Sequence, residues 1–101
     1  MYLLNETGTA GMDFLGMEIR VKDKPLIDEN GKPMINNQGQ QVFTQAYFFL
    51  VFGVGFNMEM GDYETLNEAQ SVFNLIHSKM KNGVQFLAIQ DVEREVGIKR
   101  G

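Results

Sequence analysis

The sequence has no cysteine and no tryptophan, a single histidine and two prolines. Without cysteine, disulfide frameworks, thiolate metal sites and thiol nucleophiles are excluded, and a reducing cytoplasmic setting suits the chain. One histidine, His77, leaves acid–base chemistry to one imidazole or to carboxylates, and no Ser-His-Asp grouping can be argued from residue order. Positive charge is also scarce: nine Lys and Arg stand against thirteen Asp and Glu, for a formal net charge of −4. Proteins that bind polyanions in general carry the opposite balance, because Lys and Arg neutralise phosphate. Tight duplex binding is therefore disfavoured, while a local basic groove is compatible with the sequence. The longest apolar run, residues 46–52, is far too short for a membrane-spanning helix, and no basic leader precedes it. The expectation is a cytoplasmic protein without signal peptide or membrane association.

What the sequence does contain is a composition of 44% apolar and 22% charged residues over 101 positions, appropriate to one globular domain. Residues 42–56 are its most apolar stretch. Beta-branched and aromatic side chains dominate there, and these fit a pleated surface better than a helix. At period two, Val42, Thr44, Ala46, Phe48, Leu50, Phe52 and Val54 point one way, and Phe43, Gln45, Tyr47, Phe49 and Val51 the other. A strand apolar on both faces is expected to be central and covered on both, by a helix, a second sheet or another copy of the chain. This motivates the expectation of a homodimer.

Upstream, residues 2–4 read as a short strand and residues 12–22 as a longer one. In the latter Leu15, Met17, Ile19 and Val21 face one side and Glu18, Arg20 and Lys22 the other. Between it and the central strand lies an eight-residue repeat, Lys24-Pro25-Leu26-Ile27-Asp28-Glu29-Asn30-Gly31 followed by Lys32-Pro33-Met34-Ile35-Asn36-Asn37-Gln38-Gly39. Each unit reads as a short strand and a turn, opened by Asp or Asn and ended by Gly. Proline donates no ladder hydrogen bond, so the repeat is expected to form a projecting β finger.

After the central strand, residues 57–62 read as a loop and 63–81 as a helix. Thr65 and Glu68 have the spacing of a capping box, with Asp62 an alternative cap. Leu66, Ala69, Val72, Phe73, Ile76 and Met80 form an apolar stripe, Lys79 and Lys81 suit the negative end of the dipole, and Asn82-Gly83 closes the helix. Residues 84–90 read as a buried strand, and 91–101 as an edge strand or a short helix. The implied fold is α+β: an antiparallel meander with a projecting β finger, one long helix packed on it, and a final strand after the helix.

Asp28-x-Asn30-Gly31 has the opening of a calcium loop, but the closing bidentate Glu is missing and a plain turn accounts for the residues. Gly53-Val54-Gly55 lacks the further glycine and Lys-Ser or Lys-Thr of a phosphate loop, and reads as a bulge or close approach at a strand end. Asp91, Glu93 and Glu95 read as a solvated face. No catalytic residue, metal site or cofactor is expected. The local concentration of Arg20, Lys22, Lys24 and Lys32 beside Phe43 and Tyr47 suits single-stranded nucleic acid, where cations track phosphate and rings stack on bases.

The run Gly31-Lys32-Pro33, a polar stretch and then Gln45-Ala46-Tyr47 entering an apolar strand resembles the hairpin region of small single-stranded-DNA-binding proteins of filamentous phages and mobile elements. That resemblance implies an OB-like barrel that binds strands cooperatively as a dimer, with Lys24, Lys32 and Tyr47 as contacts. The long helix and the acidic balance depart from the pattern. The sequence thus reads as a non-enzymatic binding module of phage or mobile-element type that takes single-stranded DNA on its finger. The alternative is an acidic inhibitor or adaptor that docks on a host or element-encoded protein and imitates nucleic acid.

Overall fold

The computed structural model describes residues 1–99 and orders them as β1 (Tyr2–Leu4), β2 (Gly11–Asp13), β3 (Gly16–Pro25), β4 (Phe43–Phe52), β5 (Asn57–Tyr63), α1 (Leu66–Lys81), β6 (Phe86–Ala88) and α2 (Ile89–Glu95). Two three-stranded sheets result, β2-β1-β6 and β3-β4-β5. The fold is α+β, and no helix among the described residues is long and apolar enough to cross a membrane.

β4 is the middle strand of an antiparallel meander, in register with β3 from Gly16↔Phe52 to Pro25↔Phe43. The Leu26 N–H donates to the Val42 carbonyl, which continues that register and shows that the even-numbered residues of both strands point their backbone groups at each other. On the other side, the Gly53 N–H donates to the Phe56 carbonyl, so the odd residues of β4 face β5. Beyond Phe49↔Met60 the ladder shifts at a bulge, where Gly61 has φ 83° and a Cβ would strike the Tyr63 ring. β5 occupies the segment expected to be a loop. Met58 and Met60 alternate with Asn, Glu and Gly, which are weak strand formers, and pairing with β4 decides the conformation.

α1 lies on the odd face of β4. Thr65 and Glu68 make the full capping box, Asn82 is the C-cap, and Gly83 has φ 84°. Ala69, Val72 and Ile76 are buried, and Phe73 meets Phe49 with ring centroids 6.2 Å apart. Leu66 and Met80, at the ends of the stripe, remain exposed. The core joins Phe49, Val51, Met60 and Tyr63 to this helix face and to Leu3, Met12 and Leu87 of the smaller sheet.

Within the described residues the even face of β4 is covered by neither a helix nor a second sheet. Side chains of β3 roof it: Lys22 Nζ sits 5.0 Å from the Phe48 ring centroid, and Lys24 Nζ reaches Asp62 Oδ2 at 2.8 Å. Long cationic side chains bury apolar stems while their charged ends stay in water. Under this roof Ala46 is buried at 2% exposure and Phe48 at 8%.

The reading of residues 12–22 as one strand is corrected. The chain breaks at Phe14-Leu15, where the Leu15 N–H also donates to the Phe52 carbonyl, two residues facing one as in a bulge. Phe14 is buried, whereas Leu15 and Val21, expected to face inward, are exposed. The strand expected over 84–90 shrinks to β6, which pairs parallel with β1. Ile89 and Val92, three apart and both buried, begin the short helix α2. Of the two readings of the tail the helix is the one found; residues 100 and 101 lie outside the described residues.

Candidate functional site

The finger is a three-cornered arm. Leu26, Met34 and Val42, eight residues apart, close a ring of backbone bonds: Leu26 N–H to Val42 C=O at 3.0 Å, Val42 N–H to Met34 C=O at 3.0 Å, and Met34 N–H to Leu26 C=O at 2.9 Å. The bridges repeat the same relation, Ile27 opposite Pro33, Ile35 opposite Gln41, and Phe43 opposite Pro25. Gln40-Gln41-Val42-Phe43 is thus the start of a third unit that has lost Lys and Pro. The prolines sit one residue from the bonded corners, where an N–H faces outward, so their missing donor costs no ladder bond.

Each full unit ends in a side-chain-directed turn. The Asp28 carboxylate accepts from the Asn30 and Lys32 N–H groups, and the Asn36 side-chain oxygen from those of Gln38 and Gln40, all at 2.9 Å. Gly31 and Gly39 supply the left-handed residue, with φ 78° and 77°. Asp28 is therefore a turn former. Among the described residues no cluster of three or more His, Cys, Asp or Glu has the arrangement to hold a metal ion.

The fourth-position side chains of the three units, Ile27, Ile35 and Phe43, are 54%, 58% and 52% exposed. Lys24 and Lys32 balance Asp28 and Glu29, so the arm carries no net charge within a chain of net −4. At its root a groove of about 530 Å³ runs from Leu26 and Ile27 over Lys24, Thr44 and Ala46 to Asp62, Glu64 and Thr65.

Arg20, Lys22 and Lys24 rise from the even face of β3, but each is engaged. Arg20 pairs with Glu18, Lys22 covers Phe48, and Lys24 bonds Asp62. Lys32 stands apart on the arm and makes no ion pair among the described residues. Tyr47 is turned the other way: it lies opposite Val21 and Tyr63 and packs against the core under α1. The structure therefore brings three cations together and puts Phe48, not Tyr47, beside them.

His77 is held as a structural residue. Its Nδ1–H donates to the Phe73 carbonyl at 2.8 Å, and its ring lies 4.2 Å from that of Phe73. The exposed trio Ile27, Ile35 and Phe43 had one sequence signal, the spacing of eight that continues from Leu26 and Met34 to Val42 after the Lys-Pro pair disappears.

No protein-family model matches the chain, and comparison with known proteins and with solved structures finds no match.

Proposed function

We propose that the protein is a non-enzymatic binding module that docks on another protein through the arm. The observation that carries this reading is the equivalent placement of Ile27, Ile35 and Phe43, three large apolar side chains left in water on a neutral projection. Apolar groups repeated at one position of a motif, away from the core, have no folding role that burial supplies; interfaces draw their central contacts from such residues. The protein then acts as an adaptor or inhibitor. A photo-crosslinking side chain at position 35 or 43 is expected to form adducts with one protein species in the cells that make this chain. The same probe at exposed Ser71 on α1 should give none, and equal labelling from both places overturns the reading.

A second reading, single-stranded DNA binding of the phage and mobile-element type, is favoured by one observation: Arg20, Lys22 and Lys24 share a sheet face with Phe48 and Phe52, and Lys32 lies beyond. It is the weaker reading, because the cations already have partners and Phe48 is too buried for a base to stack on. Fluorescence polarisation with an oligothymidylate at two salt concentrations separates the two. A saturable signal that falls steeply with salt supports DNA binding.

A further inference from the structure

We infer that β3 is a self-pairing edge, and that two copies of the chain join there, antiparallel and centred on Ile19, into one six-stranded sheet. The two outer edges of the β3-β4-β5 sheet differ. At β5 the outward Gly61 N–H is taken by the Glu6 carboxylate at 2.7 Å. At β3 the even residues face β4, so Met17, Ile19, Val21 and Asp23 turn their N–H and C=O groups outward, where no backbone partner is found among the described residues. An open strand edge of this length is a template for another strand.

The side chains select the occupant and the register. With Ile19 opposite the partner's Ile19, the outward residues pair Met17 with the partner's Val21 and Val21 with the partner's Met17. All are apolar, and the exposed Val21 is covered. On the other face the same register sets Glu18 opposite the partner's Arg20, and Arg20 opposite the partner's Glu18, opposite charges in directly facing pairs. Centring on Arg20 opposes that residue to the partner's Arg20 and sets Asp23 against the partner's Met17, while Glu18 meets the partner's Lys22; centring on Val21 opposes Arg20 to the partner's Lys22 and sets Asp23 against the partner's Ile19, while Glu18 meets the partner's Lys24. The edge therefore fits itself in one alignment free of like-charge contacts, the self-complementarity that a two-fold interface requires, whereas the neighbouring ones mix attraction with repulsion and set a carboxylate against an apolar residue. This interface is separate from the arm, which starts at the far end of β3, so two arms project in opposite directions, each beginning about 20 Å from the axis.

The test is sedimentation equilibrium of the intact chain with a charge-reversal cycle. Wild type is expected to show twice the monomer mass at 100 µM. Glu18→Arg and Arg20→Glu each weaken association at least tenfold, and the double reversal restores it. Val21→Pro, which removes an outward donor from an exposed position, gives a monomer with an unchanged far-ultraviolet circular dichroism spectrum. A wild-type monomer at 100 µM overturns the proposal. So does a dimer that survives Val21→Pro, or single reversals that the double variant fails to rescue. None of these outcomes bears on the arm, whose crosslinking is read independently.

Discussion

Lys24 and Asp62 are 38 positions apart, yet Nζ of the first lies 2.8 Å from Oδ2 of the second, and the link passes diagonally over the central strand above Ala46. Both side chains are substantially exposed, so the charge pair itself contributes little, about 0–1 kcal/mol. The stem does more, because it keeps water from the even face of β4. Lys24→Met, which keeps the stem, is expected to lower stability by less than about 1 kcal/mol, whereas Lys24→Ala costs roughly 1–2 kcal/mol. Urea unfolding of both variants checks this; equal losses would assign the effect to the charge.

Gly61 combines a left-handed backbone with a closed environment, since its missing Cβ position is filled by the Tyr63 ring. Gly61→Ala therefore incurs both a backbone cost and an overpacking cost, together about 2–5 kcal/mol. Thermal unfolding is the measurement, and a midpoint within a degree of wild type contradicts the bulge geometry.

Tyr47 separates a core role from a binding role. Its place against the core under α1 means that Tyr47→Ala destabilises the fold by about 2–3 kcal/mol. Tyr47→Phe, which keeps the ring, stays near wild type. If instead Tyr47→Ala leaves the unfolding midpoint unchanged, the ring is not packed as described.

Asn36 tests how independent the arm is of the domain. Its side chain holds the N–H groups of Gln38 and Gln40, and the whole unit is exposed. Asn36→Ala is expected to speed hydrogen exchange at those two amides while moving global stability by less than about 0.5 kcal/mol. A large global loss would show that the arm folds as part of the core.

What the sequence disclosed divides by the range of the forces involved. α1 was readable because Thr65, Glu68 and Asn82-Gly83 act within a few residues, and because the stripe through Ala69, Val72 and Ile76 has helical period. β4 and the projecting arm were readable for the same local reasons. β5 was not, since Met58, Met60 and Gly61 become a strand only by pairing with β4. The split between β2 and β3 depends on the bulge against Phe52, which no local pattern announces. At the candidate site the positions of Arg20, Lys22 and Lys24 on one face followed from alternation. Their engagement by Glu18, Phe48 and Asp62 is in part long-range. Tyr47 points to the face opposite the lysines, because side chains alternate along a strand and its neighbours Ala46 and Phe48 take the lysine face.

The closed ring of Leu26, Met34 and Val42 makes the length of the arm adjustable in whole units. Its corners are one repeat apart, so excising residues 27–34 removes one leaf whole and leaves Leu26 and Val42 facing each other at the base of a plain hairpin. The register of β3 on β4 is untouched, because it is fixed below that point. The arm is thus a cassette of eight-residue leaves whose geometry lets one leaf be added or removed while the sheet beneath it stays the same.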